Sequence, residues 1–294
     1  MLTFKKLSLA DIDVVRPFFS YSLSRACDNT IGGTFMWRDF FETEYCILNE
    51  TLIIKVKHLD YSAAFPLPLG PDLTGSVMEI EKYCKSLDIP LVFCCATKEE
   101  ISAYSKLYSS FELVSNEDWD DYLYIAEDLV NLAGRKYSGQ RNHINYFKTN
   151  YYDHTFEEIA PDNIQEVRDF YSGISSTFAK RTGLFSEGQV KTVELLNHFS
   201  EYKLSGGLLR VSGSVIGFAV GEVHKDTLFV HVERADLKFR GAYQMLAKLF
   251  PARFAGEGVL YVNREEDDGD PGLRAAKKAY HPTEMIRKHL VIIR

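Results

Sequence analysis

The chain has 294 residues, 46% apolar and 13% aromatic, enough for one large domain or two medium ones with filled cores. A net charge of −7 excludes bulk attraction to nucleic acid or to an anionic membrane and leaves that role to a local basic patch. The five cysteines and eight histidines lack metal-ligand or redox spacing, and no signal peptide or membrane-length apolar run is evident, so reduced thiols, no metal, no membrane-spanning segment and a cytoplasmic location are expected.

In chain order, Ser8 caps a helix to Phe19, with Ile12, Val15 and Phe19 at helical spacing. Thr34 to Phe41 is a short aromatic helix. Tyr45–Leu48, Leu52–Val56 and Ser62–Phe65 form a strand meander, with Asn49-Glu50 as a turn. Pro66 to Gly75, with three prolines, is a loop. Val77 to Leu87 is an amphipathic helix, Leu91–Cys95 a fully apolar strand, Ile101–Leu107 a helix, and Phe111–Val114 and Tyr122–Ile125 are strands. A second pass of similar order begins near residue 160. Helices run from Pro161 to Phe170 and from Glu187 to Phe199. Strands Gly207–Val211, Val215–Val223 and Thr227–Glu233 follow, then a helix Arg240–Phe254 that Pro251 should kink or end early. The strand Val259–Asn263, a helix around Leu273 and a last strand Met285–Ile293 complete the chain. Two passes of one element order predict an α/β protein of two similar units packed as one body.

Between the passes lies the segment from Leu132 to Lys148, where Ile144, Phe147 and Tyr151 recur at helical spacing. Arg135, Lys136, Arg141 and Lys148 crowd a chain that is otherwise acidic. Two readings stay open: a linker helix with a solvated face, or a local anion site for phosphate, nucleotide or RNA backbone.

The second charged stretch follows the strand Val259–Asn263. Arg264-Glu265-Glu266-Asp267-Asp268-Gly269-Asp270 holds five acids in seven residues. Asp270 is a good N-cap, Pro271 suits the first helical position, and Arg274 and Lys277 share a helix face. Open α/β sheets place ligands at the carboxyl ends of strands. For any one carboxylate here a solvated turn is the plainer reading, whereas Asn263 and Arg264 sit where an apolar strand stops. On the strand Thr227–Glu233, His231 and Glu233 face one way, two residues apart, and are the base candidates by position. Tyr243 and Tyr280 are candidate proton donors to a leaving group.

Two motifs carry a resemblance. Asp121-Tyr122-Leu123-Tyr124 with Gly134-Arg135-Lys136-Tyr137 and Arg141-Asn142-His143-Ile144-Asn145-Tyr146-Phe147 is one. Asn263 to Asp270 with Leu273-Arg274, Lys277 and Ala279-Tyr280-His281-Pro282 is the other. Both are similar to bacterial proteins related to the C-terminal catalytic domain of phosphatidylglycerol lysyltransferase. The resemblance implies mixed α+β sheets in two tandem GNAT-like acyltransferase units: 1–125, a basic linker helix 126–150, and 151–294 with the active site. It also implies transfer of an aminoacyl group from charged tRNA to an amine or hydroxyl on a small-molecule, peptide or lipid-headgroup acceptor.

More distant relatives use coenzyme A, whose pyrophosphate needs an Arg/Gln-x-x-Gly-x-Gly/Ala turn. Here that place reads Lys238-Phe239-Arg240-Gly241-Ala242-Tyr243, a degenerate version. The candidate catalytic residues are therefore His231, Glu233, Asn263, Arg264 and Tyr280. The candidate donor- and substrate-binding residues are Arg135, Lys136, Arg141, Asn142 and Asn145, then Arg240, Gly241, Ala242 and Tyr243, then Glu265, Asp267, Arg274 and Lys277. Aminoacyl-tRNA or coenzyme A is the expected acyl donor. The alternatives are a coenzyme A-dependent N-acetyltransferase and a non-catalytic binding protein on the same fold.

Overall fold

The computed structural model describes residues 2–178 and 184–294. The first pass contributes strands β1 (Lys5–Lys6), β2 (Glu44–Leu48), β3 (Thr51–His58), β4 (Tyr61–Ala64), β5 (Leu91–Ala96), β6 (Glu112–Ser115) and β7 (Asp121–Ile125). The second contributes β8 (Thr155–Glu158), β9 (Ser205–Val211), β10 (Ser214–His224), β11 (Thr227–Ala235), β12 (Tyr261–Asn263), β13 (Glu284–Ile286) and β14 (His289–Ile293). Contacts group the chain into two compact units, one up to Asp120 with Ile286–Arg294, the other Asp121–Met285.

The repeated element order is visible in the sheets. The first unit orders its strands β1-β2-β3-β4 and β5-β14-β6, with a parallel bridge from Phe65 to Phe93. The second orders them β8-β9-β10-β11-β12-β7-β13. The two orders match position by position, and in each the sixth strand comes from the other pass. A helix, Leu73–Ser86 or Ala242–Phe254, joins the fourth strand of each pass to the fifth. In the second unit this crossover is obligatory, because β11 and β12 run parallel with Phe229 opposite Asn263. The Ala242–Phe254 helix lays Met245, Leu246 and Phe250 on Leu209, Ala219, Leu228 and Val230 of the sheet.

Three expectations meet a different outcome. The stretch Met285–Ile293 is two strands in two sheets, interrupted where Lys288 turns in to pair with Asp28 at 2.8 Å. Pro251 does not end its helix. The helix continues to Phe254, and the Ala255 N–H donates to the Pro251 carbonyl. Burial of Phe250 and its neighbours in the core offsets the roughly 3 kcal/mol that a helical proline costs. The segment 126–150, read as a linker, lies within the second unit. Its Ser138–Asn150 helix buries Ile144 and Phe147 in that unit's core, and β7 pairs with β12.

One irregularity positions the site. Val220 of β10 pairs with Val232 and Gly221 pairs with Val230, so His231 is the extra residue of a β-bulge. Gly221 is required there, since a Cβ would lie 1.9 Å from the Phe229 carbonyl oxygen. Gly221→Ala is expected to destabilise the protein by about 2 kcal/mol or more. The measurement is a urea titration, with a lowered midpoint at unchanged slope.

Candidate active site

The site begins where β12 ends. Asn263 is fully buried. Its Nδ2 donates to Asp121 Oδ2 at 2.8 Å and its Oδ1 accepts the Glu265 N–H at 2.6 Å. The chain then turns through Glu265 in a left-handed conformation, φ +58°. Lys277 secures this turn, donating to the carbonyls of Arg264 (2.6 Å), Glu265 (3.1 Å) and Glu266. Burial lowers the Lys277 pKa from its ordinary value. Asp267, 1% exposed, accepts from the Tyr122 hydroxyl at 2.5 Å and from Arg274 Nε and Nη2 at 2.8 and 2.7 Å. Burial opposes its charge, but Arg274 and Tyr122 bring its pKa below the ordinary value. Asp270 caps the Pro271–Lys278 helix through the Leu273 N–H, as its sequence position predicts.

On this frame stands a charged pair. Arg264 Nη2 donates to both oxygens of Glu233, at 3.1 and 3.2 Å, with the side chains only 13% and 12% exposed. The guanidinium lies over the Tyr280 ring, 4.9 Å from its centre, and 6.0 Å from that of Tyr124. The Tyr124 hydroxyl is itself fixed on the Lys277 carbonyl at 2.9 Å. Burial works against the Arg264 charge, but Glu233 and the tyrosines raise its pKa. Its Nη1 is buried and makes no hydrogen bond among the described residues. Burial raises the Tyr280 hydroxyl pKa, so it stays protonated and able to donate. The guanidinium and the phenol thus bring an unused N–H group and a proton donor to one place.

His231 lies on the same strand as Glu233 but in a different role from the one its position suggests. Its side chain is fully buried, with Nδ1 2.7 Å from Glu265 and Nε2 2.9 Å from Glu222. Burial disfavours the charged ring, yet the two carboxylates prevail and push its pKa up to about 10. His231 is therefore an imidazolium with both nitrogens engaged, a fixed cation and not a free base. Glu222, Asp121, Tyr122 and Tyr124 belong to this assembly but were not among the candidates. The last three stand in the Asp121-Tyr122-Leu123-Tyr124 motif, and the bulge that brings Glu222 to His231 leaves no trace in residue spacing.

The other candidates make no side-chain hydrogen bond to Arg264, Glu233 or His231 among the described residues, although His281, next to Tyr280, lies 3.1 Å from the Lys136 carbonyl. Arg141 Nη1 donates to the carbonyls of Leu132 and Gly134, closing the end of the Ala126–Asn131 helix where Leu132 is left-handed. Lys136 pairs with Asp128 at 3.1 Å, while Arg135, Asn142 and Asn145 are exposed. In the turn before the Ala242–Phe254 helix, the Lys238 N–H donates to Asp236 Oδ1 and the Ala242 N–H to the Phe239 carbonyl. Ala242 is buried, and Tyr243 packs on the core beside it. A Cβ on Gly241 (φ +93°) would lie 2.5 Å from the His143 carbonyl oxygen, so this glycine serves helix packing.

The His231 pKa has a measurable consequence. Its folded value, about 10, exceeds the ordinary 6.5, so its stabilisation is full below 6.5, shrinks as pH rises, and is gone once pH has passed about 10. Urea titrations between about pH 7 and about pH 10 should show falling stability. His231→Gln should flatten that slope and cost about 3 kcal/mol at neutral pH, because two buried carboxylates lose their cation.

Residues 19–292 match the family described as phosphatidylglycerol lysyltransferase, C-terminal. A conserved protein of unknown function from Bacteroides thetaiotaomicron is 29% identical and superposes over all of both chains with a TM-score of 0.91. The C-terminal domain of a putative lysylphosphatidylglycerol synthetase from Agrobacterium fabrum, 15% identical, shares the fold over 97% of this chain and 92% of its own, with a TM-score of 0.70. An uncharacterised protein of Mycoplasmoides gallisepticum is 23% identical over 60% of this chain, and the match spans 58% of that relative's length. The chain, mixed α/β in two units, belongs to the phosphatidylglycerol lysyltransferase C-terminal family and with it to the acyltransferases.

Proposed function

We propose that the chain transfers an aminoacyl group from a charged tRNA to an amine or hydroxyl acceptor, with the donor ester's carbonyl oxygen held by Arg264. The observation that carries this is the buried, unsatisfied Nη1 of a guanidinium whose other edge is fixed on Glu233. A fixed N–H aimed at developing negative charge is a large source of rate enhancement. In the transfer, the acceptor's lone pair forms a bond to the ester carbonyl carbon and electrons move onto the oxygen at Arg264. Collapse expels the ribose oxygen of the tRNA. Tyr280 supplies the proton that this oxygen takes up and is restored by the proton the acceptor loses.

Coenzyme A fits this chain less well as donor. In the turn where its pyrophosphate would lie, two N–H groups already have partners and Gly241 sits under the His143 carbonyl. The acceptor class is small-molecule, peptide or lipid headgroup. Among the described residues no helix is long and apolar enough to cross a membrane.

The test follows transfer from radiolabelled aminoacyl-tRNA to a panel of amine and hydroxyl acceptors. Wild-type protein should be active, and Arg264→Gln should lower kcat by about a hundredfold with little change in tRNA affinity. Arg264→Gln combined with Glu233→Gln removes the stranded carboxylate and should be equally inactive while regaining stability. Micromolar calorimetric binding of coenzyme A, with no tRNA binding at low salt, would overturn the donor. Full transfer by the double variant would overturn the role of Arg264.

A further inference from the structure

Charge in this chain is distributed unevenly. The stretches 129–152 and 237–256 hold eight lysines and arginines and no aspartate or glutamate, in a chain with 41 acidic residues. The fold brings the two stretches together. Gly241 approaches the His143 carbonyl, and the rings of Tyr151 and Phe239 pack with centres 5.2 Å apart. At this junction the Arg240 guanidinium carbon lies 4.4 Å from the centre of the Tyr146 ring. Tyr146 is 38% exposed, and Tyr152 and Leu237, which flank the Tyr151–Phe239 contact, are 87% and 75% exposed. Lys148, Lys238 and Arg240 are exposed and make no ion pair among the described residues.

An arginine stacked on a surface tyrosine contributes only about 0.5–1 kcal/mol to folding, so stability alone is a weak reason for the pair. A planar, cationic platform set among cations that make no ion pair among the described residues is instead the chemistry that holds an unpaired nucleotide. Bases stack on the ring or guanidinium face while phosphates meet the ammonium groups.

We infer that this face binds the single-stranded end of an RNA, a base stacking on the Tyr146–Arg240 pair and phosphates lying against Lys148 and Lys238. The inference rests on the tRNA-donor reading and adds to it the surface that takes the RNA. It assigns the contact to the exposed side of the Ser138–Asn150 helix and the turn before Gly241. Arg141, which caps a helix end, is outside it.

The test is fluorescence anisotropy at two salt concentrations, with deacylated bacterial tRNA and a labelled single-stranded RNA of about ten nucleotides. Tyr146→Ala should weaken both by about tenfold, and Tyr146→Phe should bind within about twofold of wild type, since the ring is kept. Arg240→Gln should weaken both by a similar factor, since the cation stacked on the ring is lost. Circular dichroism and melting temperatures should match wild type for all three, as the altered side chains are exposed. If wild type binds RNA and Tyr146→Ala and Arg240→Gln bind equally well, the surface assignment is wrong and the donor reading stands. If wild type binds neither RNA at low salt, both fall together. Binding to vesicles of anionic lipid that Tyr146→Ala abolishes, without RNA binding, would overturn the inference in favour of a membrane surface.

Discussion

A single buried ammonium holds the candidate site of this protein in shape. Lys277 donates to three consecutive carbonyls in a turn whose middle residue, Glu265, is left-handed. Carbonyls that point the same way repel one another and would need water if left alone. One cation at their focus satisfies all three and fixes the turn. Everything functional hangs from it. The turn sets the direction of Arg264, delivers the Glu265 carboxylate to His231, and leads into Asp267, which Arg274 and Tyr122 lock. Lys277 thus acts as a positioning residue through the backbone.

His231 does for the sheet what Lys277 does for the turn. A bulge inserts one residue, its imidazolium bridges Glu222 and Glu265, and the two strands and the loop are joined through one charged ring. Beside these two buried cations with matched acceptors, Arg264 keeps an Nη1 that makes no hydrogen bond among the described residues. That contrast separates the groups that build the site from the one suited to act in it. A buried charge with every lone pair and proton matched is scaffold, whereas one with an unmatched N–H retains capacity for a ligand.

Much of this was readable in the chain. The two-pass order appears as two units of matching strand order, because hydrophobic alternation and turn residues are local signals. Asp270 as N-cap and the pairing of Arg274 with Lys277 on one helix face are local too. The exchange of β7 and β14 was not readable, since strand partners depend on residues more than a hundred positions apart, and each strand looks the same in either sheet. The role of His231 was misread for a related reason. Alternation placed it beside Glu233, but the partners that fix its protonation, Glu222 and Glu265, arrive from another strand and a loop.

The acidic loop shows how a plain reading and a functional one divide a single segment. Five acids in seven residues look like a solvated turn, and for Asp268, which is exposed, that holds. Asp267 is buried against Arg274, whose attraction together with the Tyr122 hydroxyl outweighs the loss of water, whereas Glu265 is buried against His231 and there burial prevails and raises its pKa. Composition records that the acids are present but not which of them face inward. The distinction comes from the left-handed turn at Glu265, which sends successive carboxylates in different directions. The loop is therefore both the soluble lip of the site and a source of its internal charge, and its backbone conformation, held by Lys277, decides which acid serves which end.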